Sequence, residues 1–206
     1  MPPSATSRSN PNKKKLDSPL RRGFKADAER VADAIRQELD LSPTAPVSCT
    51  DICEQLGIPV ITVPDLAASG ASLKSIRCIT SPAAKFSAMT VASGTKRLIV
   101  YNPHHPPGRR ANSLAHEISH VLLEHPLMPA LGVGGCRQWN PVLEAEADWQ
   151  AGALLVPRQA ALDWMQMGRT FEDGALYFGV SLALFKWRVN QTGILRHLNA
   201  LAKFNS

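Results

Sequence analysis

The stretch Asn112-Ser113-Leu114-Ala115-His116-Glu117-Ile118-Ser119-His120-Val121-Leu122-Leu123-Glu124 decides how this chain is read. It holds the pattern H-E-x-x-H. On a helix, residues four apart lie one above the other, so His116 and His120 aim two imidazoles at one point. That spacing suits a tetrahedral zinc ion. Glu117 projects about 100° round from His116. It can reach a water at the metal without being a ligand, which is where a general base belongs. Leu114, Ile118, Val121 and Leu122 form an apolar stripe on the other side of the same helix. The histidines therefore face a cleft and not the core. The alternative is an ordinary amphipathic helix with two polar-face histidines.

A peptide-hydrolysing zinc site normally has three protein ligands and one open position. Three residues compete for the third place. His125 lies five residues beyond His120, which puts it about 140° off that face. Glu124 shares the face but sits two turns, roughly 12 Å, from His116. The better candidate lies in Val142–Pro157, where Glu144 and Asp148 share a face with Ala147, Ala151 and Leu155. Small residues on that face let this helix approach the first closely, so that Glu144 reaches the metal. Asp148 then serves as acceptor for the outer N–H of a ligating histidine. Glu146 is expected to face away. Carboxylates also favour a helix N-terminus for electrostatic reasons alone, but that does not explain the alanines beneath Glu144.

The chain has 206 residues, 44% hydrophobic and 19% charged, and a formal net charge of +6. This suits one domain with a small appendage. Residues 1–25 carry seven basic residues against Asp17 alone, which accounts for the whole net charge. The remainder is neutral, which argues against a nucleic-acid-binding surface on the folded part. Residues 1–25, rich in Pro, Ser, Asn and Lys, are expected to be a disordered basic tail. That tail is either solvated or a weak tether to a polyanion. No apolar run reaches the length of a membrane span, and the N-terminus lacks the apolar segment of a signal peptide, so a soluble, cytoplasmic protein is expected. Cys49 and Cys53 could form half of a metal site, but reduced, semi-buried thiols fit the context better.

The coarse order is helical, then stranded, then helical. Ala26–Leu41 reads as a helix, and Thr50 caps a short one that Gly57 stops. Strands are expected at Pro59–Val63, Ser75–Thr80, Lys85–Val91 and Arg97–Tyr101. The last is expected to be a sheet edge beside the metal, available for an extended peptide. His104 and His105 lie in the loop that follows, either solvated or in contact with substrate. Arg158–Met167 is a helix, Thr170 caps another to Phe178, and Ser181 caps a third to Gln191. The last two resemble a helix-turn-helix. However, the second carries only Lys186 and Arg188 among apolar residues, so packing on the rest of the chain fits better than DNA reading.

H-E-x-x-H followed by E-x-E-A-D-x-x-A-x-x-L-L-x-P resembles the ImmA/IrrE family of zinc metallopeptidases. Upstream, Asp51–Pro64, Phe86-Ser87-Ala88, and Val100-Tyr101-Asn102-Pro103 with Arg109 share the resemblance. Downstream, so do Gly179-Val180-Ser181 and Trp187 to Gly193. It spans about residues 27–195. It implies an α+β fold with a zincin-like core at 26–157 and a C-terminal helical segment, helix-turn-helix-like, at 158–206. It also implies Zn2+ on His116, His120 and Glu144, with Glu117 as catalytic base. The implied partner is a protein substrate, a DNA-binding helix-turn-helix repressor of a mobile element or stress response, cut in trans at one or two places. A non-cleaving module that docks a transcription factor is the alternative, and the intact Glu117 argues against it. Gln150 departs from the family's usual Phe and should affect helix packing. With the chain ending at Ser206, the large C-terminal sensor domain of some members is expected to be absent. Tyr101, Arg109 and Tyr177 remain candidates for stabilising an oxyanion.

Overall fold

A computed structural model of the chain describes residues 20–70, 76, 79, 86–93, 96–126 and 140–204. Most of the expected basic tail lies outside them. The first helix, α1 (Phe24–Glu38), starts at Gly23 with φ 86° and ends before Asp40 with φ 53°. It is therefore shorter at its end than Ala26–Leu41 and begins earlier. Phe24, Ala28, Ala32 and Ile35 are its buried face, an i, i+4, i+8, i+11 series. Arg36 extends that face. It is fully buried, donating from Nε to the Ala45 carbonyl (2.9 Å) and from Nη2 to the Leu154 carbonyl (2.6 Å). Burial pushes its pKa down to about 10.

Helix α2 (Cys49–Gln55) is capped by Ser48, whose hydroxyl accepts from the Thr50 N–H, and not by Thr50 itself. Cys49 and Cys53 are buried free thiols; burial raises their pKa values to about 12 and about 11. Both stay protonated at neutral pH, the state of inert packing residues and not of metal ligands.

Among the described residues the sheet has three strands, in the order β1-β3-β2. Strand β1 (Val60–Thr62) is cut short because Thr62 and Asp65 form a reciprocal capping box that opens helix α3 (Val63–Ala68). Strand β2 (Ala88–Ser93) pairs antiparallel with β3 (Lys96–Tyr101), and β1 pairs parallel with β3. Ile99 and Val100 on β3 are both fully buried, as a strand covered on both faces requires. The expectation that Arg97–Tyr101 is an edge is thus overturned: β3 is the central strand, and among the described residues the edges are β1 and β2. Most of the strand expected at Ser75–Thr80 lies outside the described residues; Ile76 and Ile79, which are described, are helical.

Helix α4 (Pro107–Leu122) carries His116, Glu117 and His120. It begins at a proline, whose missing N–H costs nothing in the first turn. Glu124 follows with φ 52°, so the chain has left the helix before it. Helix α5 (Pro141–Leu155) is capped by the Asn140 side chain, which accepts from the N–H groups of Val142 and Leu143. It is buried nearly all round and packs against both α4 and α1. Gln150, fully buried, donates to the Ala28 carbonyl at 3.3 Å and so joins α5 to α1.

Four helices follow: α6 (Arg158–Gln166), α7 (Phe171–Tyr177), α8 (Leu182–Gln191) and α9 (Ile194–Phe204). Thr170 and Ser181 cap α7 and α8 as expected, and Gly179, with φ 64°, makes the turn between them. The last helix was not foreseen. Helix α8 is joined to the preceding helices. The Trp187 ring meets Trp149 edge-to-face at 5.7 Å, and a Cβ on Gly152 would stand 2.7 Å from the Trp187 ring. Arg188 is fully buried, donating to the Val156 carbonyl (2.8 Å) and pairing with Glu29 on α1. Lys186 points outward, 3.5 Å from Glu172. One of the two basic residues of the expected DNA-facing helix therefore serves the interior. No helix among the described residues is long and apolar enough to cross a membrane.

Candidate metal centre

The four-residue spacing of His116 and His120 does what the helix geometry requires. Their Nε2 atoms stand 3.0 Å apart. Glu144, brought in from α5, places Oε2 3.2 Å from the His116 Nε2 and 3.8 Å from the His120 Nε2. These three residues each offer one ligand atom, all within 4.8 Å of one another, and could hold a metal ion. The separations suit zinc: ligand atoms at about 2.0–2.1 Å from a tetrahedral ion lie about 3.3 Å apart. Two imidazole nitrogens and a carboxylate oxygen converging in this way are a donor set that fits a cation. Ala147 and Ala151 beneath Glu144 are buried, in keeping with close approach of the two helices.

The apolar side of α4 is in place. Leu114 and Ile118 are in the core, with Val121 and Leu122 packed against it. Glu117 is only 5% exposed. Thr90 on β2 donates its hydroxyl to Glu117 Oε2 at 2.7 Å. No spacing in the sequence connects these two residues, because the contact depends on how the sheet lies against α4.

Asp148 meets the outer nitrogen of His116, with Oδ1 2.8 Å from Nδ1. Burial by itself would lower the pKa of His116. The hydrogen bond to Asp148 and the negative charges of Asp148, Glu117 and Glu144 outweigh it, and the net shift is upward. The Asp148 side chain remains 64% exposed.

The rejected candidates have definite places. Glu124 lies beyond the end of α4 and is exposed. His125 is 5% exposed and sits behind His120, its Nδ1 2.9 Å from the His120 Nδ1. The left-handed Glu124 ends the helix before His125, so the 140° offset of a continuing helix does not apply. Glu146 is turned from the three converging ligand atoms but does not face solvent: Oε2 lies 3.3 Å from the His125 Nε2. His105 holds its loop to the Phe86 carbonyl at 2.9 Å, while His104 is exposed. Arg109 donates to the Ser87 hydroxyl at 2.9 Å, and Tyr177 stacks on Trp164 at 5.0 Å.

Residues 53–190 match the family model Peptidase_M78, described as the IrrE N-terminal-like domain. The match contains both α4 and α5 and runs from α2 into α8. No curated protein matches the chain. With well over half of its length covered by that match, the chain belongs to the Peptidase_M78 family, the IrrE N-terminal-like domain.

Proposed function

We propose that the protein is a zinc-dependent endopeptidase of zincin type, acting in the cytoplasm and making one or two cuts in a specific protein partner. The observation that carries this reading is the convergence of His116, His120 and Glu144 from two helices, with Glu117 one residue along α4. His116 and His120 would hold the ion through Nε2 and Glu144 through Oε2. A zinc ion held there supplies Lewis acidity, acidifying water and polarising a peptide carbonyl. Glu117 takes the proton of the attacking water and gives it to the leaving amine. Its Oε2 is engaged by Thr90, so Oε1 is the oxygen that carries the proton. Asp148 keeps the His116 proton on Nδ1 and its Nε2 bare.

The sheet edge that serves the substrate is β2 and not β3. Thr90 on β2 already touches Glu117, so an extended segment paired along β2 passes the catalytic residue. That geometry requires a flexible stretch of the partner, such as the linker of a helix-turn-helix repressor. Cutting there separates the repressor's half-site contacts and releases its operator. The resemblance noted in the sequence supports this class of partner.

The experiment is to incubate the zinc-loaded protein with the repressor encoded beside it and, separately, with an unrelated unfolded protein. One or two cuts in the repressor alone are expected. Broad digestion of the unrelated protein indicates a general peptidase. Binding of the repressor without cutting, zinc present, indicates a docking module.

A further inference from the structure

The two histidines of the centre are backed differently. His116 is met by Asp148, whose side chain is largely exposed. His120 is met by His125, which is 5% exposed, and His125 by Glu146, whose side chain is 13% exposed. We infer that His125 and Glu146 are positioning residues for the metal centre, a buried relay that fixes the tautomer and ring orientation of His120. The inference rests on reading His116, His120 and Glu144 as a metal centre.

The proton assignments follow from one condition. A metal on the His120 Nε2 needs that nitrogen bare, so the neutral ring carries its proton on Nδ1. That N–H points at the His125 Nδ1, 2.9 Å away, which must accept. The His125 proton is then on Nε2, facing Glu146 Oε2 at 3.3 Å. A carboxylate is an acceptor only, so it selects this tautomer of His125. Every group in the chain has one consistent role, and reversing any link sets two acceptors against each other. The ring planes of His120 and His125 meet at 68°, with centroids 5.0 Å apart, so the pair is joined edge-on and not stacked.

The backbone supports the same role. The chain leaves α4 through Glu124 at φ 52°, and the His125 N–H bonds back to the His120 carbonyl at 3.0 Å. That turn places the His125 ring behind His120, on the side towards α5. Glu146 comes from the same helix as Glu144, two residues on. One helix thus supplies both a ligand and the anchor of the other ligand's relay. Because His125 is buried, water is poorly placed to replace it. Asp148 is exposed, and water can substitute for it in part.

The test uses the full zinc-loaded chain and two readouts. Long-range proton–nitrogen NMR of the imidazoles reads tautomers directly, and chelator competition reads the zinc dissociation constant. His125 is expected as the Nε2–H tautomer and His120 as the Nδ1–H tautomer. His125→Phe, which keeps a ring in the slot, and Glu146→Ala should each weaken zinc binding about 10- to 100-fold. Glu146→Gln keeps an acceptor oxygen and should recover most of that loss, whereas Glu146→Met, which fills the space without an acceptor, should not; packing alone would rescue both. Asp148→Ala should cost less than His125→Phe. A His125 Nδ1–H tautomer, or variants at His125 and Glu146 that bind zinc as wild type does, would overturn the relay and leave the metal centre standing. Wild-type protein that takes up no zinc overturns the centre, and the relay with it.

Discussion

Helices α4 and α8 each carry polar side chains into buried surroundings, and they do opposite things with them. On α8, the Arg188 guanidinium meets groups that complement it through Nε and Nη2, the Val156 carbonyl and the Glu29 carboxylate, while its Nη1 is buried without a partner. Donors facing acceptors tie α8 to α1 and to the end of α5. On α4, the His116 and His120 Nε2 atoms face each other and the Glu144 carboxylate, three groups each able to accept and close enough together to hold a metal ion. Burial alone does not separate structural from functional polar groups. The separation lies in whether the partners complement or resemble one another.

The comparison can be broken at several points. The largest effect is expected from Glu117→Gln. The amide cannot accept a proton, so hydrolysis should fall by at least about a thousandfold while zinc content and fold are kept. Cleavage at the wild-type rate would remove Glu117 as the base.

Next is the metal itself. Metal analysis of wild type should find one zinc per chain, and Glu144→Ala should lose it with the melting temperature of the metal-free protein little changed. Retention of zinc by Glu144→Ala would mean that the wrong carboxylate has been assigned.

The counterpart on α8 is Arg188→Met. Removing the guanidinium deprives Glu29 of its charge partner, leaving it only the Arg158 N–H, and should destabilise the protein by about 3 kcal/mol. Denaturant unfolding measures this, and zinc affinity of the folded fraction should not move. Loss of zinc with unchanged stability would reverse the roles given to the two helices.

The smallest effect is at Thr90→Val. Removing a hydroxyl that donates to Glu117 should cost about 1–2 kcal/mol of transition-state stabilisation, roughly a tenfold drop in kcat. An unchanged kcat would mean that Thr90 does not orient the base.

Much of the site is local in sequence, and that part was legible. The pair His116 and His120 needs only the pitch of a helix. Glu144 could be separated from Glu146 because i, i+4 spacing to Asp148 and the alanines at 147 and 151 define a face. The caps at Thr170 and Ser181 also follow from short-range hydrogen bonding. Other elements failed for equally definite reasons. The strand expected to run through Val63 ends at Thr62 because the capping box with Asp65 outcompetes the β-branched run. Helix α4 starts at Pro107, before the apolar stripe begins, since a proline in the first turn carries no periodic signal.

The sequence alone determined the parts of the candidate site: an H-E-x-x-H helix, an acidic second helix and the side chains able to form a metal site. It did so because those relations span a few residues and obey helix geometry. Tertiary structure alone decided which strand is the edge, since strand order depends on pairing between distant segments. It also decided that Thr90 reaches Glu117, that Arg188 turns inward to Glu29, and that His125 and Glu146 stand behind His120. Those contacts join residues brought together by packing, and in the case of His125 by a single left-handed residue, Glu124, that ends one periodicity and starts none.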